Sequence, residues 1–169
     1  MKRNIIIALA LVLLLALSGC QSGGGGEYDG TLASIIEKMY EIKDPGIAVG
    51  DIEVDLEDSD AVQAYTGLSE ASDISEIAVS EAMIGSQAYS LVLVRTSEGA
   101  AAKDIAQAMK EGIDPWKWIC VGADDLQVVA RGDIVMLAMV SSELSDAVTS
   151  QDLVDAFIQV LGGEPDVTL

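Results

Sequence analysis

The sequence predicts an α+β domain with a four-stranded, mostly antiparallel sheet built from two strand-strand-helix units, and with an additional N-terminal helix. Three observations predict it. Two pairs of apolar, β-branched stretches are each joined by a short turn, "GSQ" in the first and "RGD" in the second. Each pair is followed by a capped amphipathic helix. Half of the 169 residues are hydrophobic, enough for one packed core.

In chain order, "MKRN" supplies positive charge, and Ile5 to Leu17 form an apolar run too short for a comfortable membrane span but right for a signal-peptide core. The run closes on Leu17-Ser18-Gly19-Cys20, which matches the lipobox of bacterial lipoproteins. That match implies a leader over 1–19, cleavage before Cys20, and a diacylglycerol on its thiol. Two acyl chains hold a protein on a membrane stably, whereas one does so only marginally. The expected location is the extracytoplasmic face of the cell membrane. Residues 20–30, the lipidated cysteine and "QSGGGGEYDG", read as a glycine-rich tether reaching roughly 17 to 19 Å.

The domain is expected over 31–163, with 164–169 as a C-terminal tail. Leu32, Ile35, Ile36, Met39 and Tyr40 share one face of a first helix. Asp44-Pro45-Gly46 turns the chain. A short helix capped by Asp60, with Gln63 reaching back, should stop near Gly67. Ile74 to Ile84 and Ala88 to Thr96 read as a hairpin. The next helix has Ser97 as its cap, Ala102, Ile105, Ala106 and Met109 on one side, and Gly112 as its stop. Leu126 to Ala130 and Asp133 to Val140 repeat the hairpin, and a helix from Gln151 to Leu161 ends at Gly162-Gly163. The two longer helices are expected on one face of the sheet. "SLVLV" and "IVMLAMV" are apolar at successive positions, so both faces of those strands need cover. The helix over Thr31 to Glu41 is one source of it; a partner protein or a second copy of the chain is the other.

Charge narrows the functions. All 28 acidic residues lie beyond position 26, while Lys2 and Arg3 belong to the leader. Processing therefore leaves 28 acidic against seven basic residues, a net of about −21. Nucleic acid needs a basic face and is excluded as a partner. The same field repels an anionic lipid surface and holds the globule off the membrane. Histidine is absent, which removes His-based triads and zinc sites. With Cys20 modified, Cys120 has no disulfide partner, and its place in "WKWICV" predicts a packed thiol.

"SEIAVSEA" (Ser75 to Ala82), "YTGL" (Tyr65 to Leu68), a lone amphipathic helix and "RGDIVMLAMV" (Arg131 to Val140) resemble the Gram-positive lipoproteins of domain-of-unknown-function family 4358, over roughly Asp55 to Gly162. "DPWKWICVGADD" stands where that family carries an aromatic, tyrosine-bearing segment. The resemblance implies a lipoprotein leader and adds no chemistry.

Candidate sites are few. The acidic stretch "DIEVDLEDSD" carries Asp51, Glu53, Asp55, Asp58 and Asp60, oxygen donors of the kind calcium takes. An EF-hand loop begun at Asp51 would need glycine and glutamate where Leu56 and Val62 stand, and the alternation fits a half-exposed strand better. Trp116 and Trp118, two apart, would share a face in an extended segment and could stack on a sugar ring or grip a partner; anchoring in the core is the competing role. Carboxylate pairs alone do not make a glycosidase, and no phosphate loop, nucleophile elbow or metal signature accompanies them. The reading is a non-catalytic binding or interaction domain of the cell envelope, without cofactor, that serves an envelope protein partner or a homo-oligomer. A calcium- or small-ligand-binding lipoprotein and a carboxylate-dependent glycan hydrolase are the alternatives.

Overall fold

The computed structural model describes residues 28–169. The expected leader, Cys20 and most of the tether lie outside the described residues. The α+β class holds, with a sheet of six strands rather than four. The elements are α1 (Leu32–Ile42), β1 (Val49–Ile52), α2 (Ser59–Thr66), β2 (Ile74–Ala82), β3 (Tyr89–Thr96), α3 (Ala102–Gly112), β4 (Asp125–Arg131), β5 (Ile134–Val140), a 3-10 turn (Ser142–Leu144), α4 (Ser150–Leu161) and β6 (Val167–Thr168). The order across the sheet is β1-β2-β3-β5-β4-β6, and every pairing is antiparallel. The two extra strands are the edges. β1 is the start of the acidic alternation, and β6 comes from the expected tail.

Local chemistry sets the helix ends. Thr31 accepts from the Ser34 amide at the start of α1. The cap of α2 is Asp58, not Asp60, because the Asp58 carboxylate reaches the Ala61 amide; Gly67, at φ +79°, ends that helix. Ser97 does not cap α3. The chain turns between Ser97 and Ala100, and α3 starts after Ala101 without a side-chain cap. α4 begins one residue earlier than expected because Thr149 and Asp152 form a reciprocal capping box.

The two longer helices lie on opposite faces, contrary to expectation. α1 and α4 pack with Tyr89, Leu91, Leu93, Met136, Ala138 and Val140. α2 and α3 pack with Val92, Val94, Val135, Leu137 and Met139. Topology explains the split. β5 sits between β3 and β4, so β3-α3-β4 is a crossover between parallel strands, and β5-α4-β6 is a second one over β4. Both step the same way across the sheet from strands of opposite direction, so a right-handed crossover places their helices on opposite sides. All seven residues of β5 are therefore buried, and the chain's own helices supply the cover that the doubly apolar strands require. No helix among the described residues is long and apolar enough to cross a membrane.

Candidate interaction surface

The sheet has two unlike ends. At one end, where β2 and β5 start and β3 and β4 finish, Arg95 gathers the chain. Its Nε and Nη1 donate to Glu76 at 3.1 Å and Asp133 at 2.9 Å. Nη1 also reaches the Tyr28 carbonyl at 3.3 Å and Nη2 the Gly30 carbonyl at 2.6 Å. Glu76 in turn accepts from the Leu32 amide at 2.8 Å. An open hollow of about 680 Å³ lies here, lined by Ser75, Arg95, Ser97, Glu98 and Asp133 among others. Its arginine is consumed by these bonds, so the hollow offers no free cation for an anionic ligand.

The other end carries the apolar surface. Ile42 closes α1, Met83 and Ile84 form the β2–β3 turn, and Trp116 and Ile119 lie in the loop between α3 and β4. These are the large hydrophobic side chains exposed among the described residues. The register puts the β2–β3 turn and the start of β4 at this same end of the sheet, since Ala82 pairs with Val49, Glu81 with Ser90, and Tyr89 and Asp125 both with Val140. Lys117 binds the loop to β2 through an ion pair with Glu81, and its ammonium lies 4.8 Å from the centroid of the Tyr65 ring and 5.1 Å from that of Trp118. Burial in this packing lowers the Lys117 pKa, against the pull of Glu81.

The two tryptophans separate. Trp118 is half-buried against the α2–α3 core, whereas Trp116 is 68% exposed, so they form no shared platform. The segment is a closed loop, not a strand: the Trp116 amide donates to Asp114 at 2.8 Å, and the Ala123 amide to the Pro115 carbonyl at 2.9 Å. The Trp116 ring lies over Gly122, where a Cβ would come within 2.5 Å of it. Cys120, expected to be packed, is exposed and takes a left-handed φ of +70°, because the loop turns it out of the core. Trp116, Cys120, Gly122, Asp124, Ser142 and Glu143 line a cleft of about 230 Å³. Ser142 donates to Asp124 through its hydroxyl at 2.7 Å and its amide at 2.6 Å; these bonds hold the carboxylate below the usual range.

The acidic stretch does not converge. Asp51, Glu53, Asp55, Asp58 and Asp60 are all exposed, and Asp55 and Asp58 cap the Glu57 and Ala61 amides. Among the described residues no three acidic or sulfur side chains come together as metal ligands would. Sequence reasoning missed Met83, Ile84, Ile119 and the Asp124–Ser142 pair. The signal for the first two was present as a Met-Ile step leading into a glycine turn. Comparison with family models, with curated proteins and with solved structures finds no match to this chain.

Proposed function

We propose that the chain is a lipoprotein of the extracytoplasmic membrane face, anchored by a diacylglycerol on Cys20, and that its domain is a non-catalytic interaction module of the cell envelope. The observation that carries this reading is the polarity of the domain. Arg95 grips Tyr28 and Gly30, the residues that lead from the lipobox, at one end of the sheet, and the exposed apolar side chains stand at the other. An anchored domain so arranged turns its sticky end away from the bilayer. A strand of eight residues such as β3 runs about 26 Å, so that end stands well clear of the headgroups. The lipobox and the short tether support the same location.

The experiment is growth of a bacterial host expressing the full chain with an alkyne-tagged fatty acid, followed by membrane fractionation and intact mass. The wild type is expected to carry the label, begin at Cys20 and sediment with membranes, and Cys20→Ser to lose the label. An unlabelled wild type, or one with its leader intact, overturns the anchoring. In-cell crosslinking from the Met83 turn, but not from the Arg95 end, tests the orientation.

A further inference from the structure

We propose that the end of the sheet bearing Trp116 docks a cationic polypeptide segment that carries an apolar side chain, received by Trp116 and Ile119 and flanked by Asp114, Asp124 and Glu143. The apolar part is prepared for contact. Ile119 is 86% exposed and Trp116 68%. Tryptophan is the side chain most often found at the energetic centre of protein interfaces. Trp116 is held in position by the Asp114 cap and the Gly122 floor, so ordering it on binding costs little.

The choice of a cationic occupant follows from charge. Asp114, Asp124 and Glu143 are exposed around the Trp116 cleft. The loop's own lysine, Lys117, is turned inward to Glu81 and leaves that rim unneutralised. The cleft lined by Trp116 also holds the Asp124 carboxylate, fixed by Ser142, so one lysine or arginine head entering it can meet both an aromatic ring and a carboxylate. The net charge of −19 steers cations inward from a distance and opposes an anionic bilayer. This inference rests on the interaction-module reading but not on the lipid anchor.

The test uses the full chain in phosphatidylcholine nanodiscs and titrates three probes: a 14-residue amphipathic lysine–leucine peptide, its glutamate–leucine counterpart, and vesicles containing phosphatidylglycerol. The lysine–leucine peptide is expected to bind, and Trp116→Ala to weaken it about tenfold or more. Ile119→Ser, which removes an almost wholly exposed side chain, gives the same direction if Trp116→Ala folds poorly. Asp124→Asn with Glu143→Gln is expected to weaken binding about fivefold or more. Asp155→Asn with Glu164→Gln, an equal change of charge away from this end, is expected to leave it within about twofold. Equal losses in the two double variants, no effect of the Trp116 and Ile119 variants, absence of peptide binding, or preference for the acidic peptide or the vesicles each overturn the proposal. Failure of the anchoring would show instead in the fatty-acid labelling.

Discussion

Arg95 and Gly30 are joined by a 2.6 Å hydrogen bond from Nη2 of the guanidinium to the glycine carbonyl, and the same guanidinium neutralises Glu76 and Asp133. One side chain therefore fixes two strands, the β4–β5 turn and the segment that enters α1. Arg95→Met keeps the aliphatic stem but leaves two half-buried carboxylates without their cation. The expected loss is about 2–3 kcal/mol, read as a lower urea midpoint at unchanged slope. Hydrogen exchange should quicken at the Leu32 amide, whose acceptor Glu76 is no longer held.

Gly112 ends α3 directly against Gly67, and a Cβ on Gly112 would fall inside the van der Waals envelope of the Gly67 carbonyl oxygen. Helix propensity alone would make Gly112→Ala a gain of about 1 kcal/mol. The close approach reverses the sign, since backbone cannot step aside as a flexible side chain can. We expect a loss of about 1–3 kcal/mol in chemical denaturation. Gly85→Ala, with open space around the added carbon, should stay within about 0.5 kcal/mol of wild type.

Helices and hairpins were legible because their signals are local. Gly67 and Gly162 end their helices where their chemistry places them, and the "RGD" turn joins β4 to β5. The order of the strands is not a local property. Nothing within either hairpin says that β5 inserts between β3 and β4, and that insertion sends α3 and α4 to opposite faces. The edges escaped for a related reason. β1 showed the right alternation but no visible partner, and β6 is only two residues long. At the apolar end, "WKWICV" read as a buried run, yet the bond from the Ala123 amide to the Pro115 carbonyl closes it into a loop that turns Trp116 and Cys120 outward.

Tyr89 and Tyr40 share a hydrogen bond of 3.0 Å between their hydroxyls in the α1-facing core. Burial raises both pKa values, that of Tyr89 well above 10, with the neighbouring phenol adding to the rise at Tyr89. In the unfolded chain both ionise near 10. The folded state then holds more protons, so the stability these groups contribute is present below pH 10 and is lost as pH rises beyond it. Lys117, whose pKa is lowered, works in the opposite sense, since its burial penalty is relieved as it deprotonates. Melts taken across the alkaline range should fall steeply, and Tyr89→Phe should flatten the fall while costing about 1 kcal/mol at neutral pH through the lost bond. An equally steep fall in Tyr89→Phe would show that the pair does not drive it.

The capping box of α4 governs the acid side. Burial alone would raise the Asp152 pKa, but bonds with the Thr149 backbone and side chain, together with Lys43 at 3.4 Å, outweigh it and hold the carboxyl below its usual range. The stability that Asp152 contributes is therefore present above pH 4 and is lost as pH falls through its lowered value. Half-exposure limits its size, so Asp152→Asn is expected to cost about 0.5–1 kcal/mol at pH 7. Thr149→Ala should cost about 1 kcal/mol at the same pH. Because the two groups bond reciprocally, the double variant should lose less than the sum of the singles, a coupling readable from a double-mutant cycle. As pH falls through that lowered value the gap between wild type and Asp152→Asn should close, since the native carboxyl is then becoming neutral, and a gap that persists undiminished at the acid limit would assign the stabilisation to shape rather than charge.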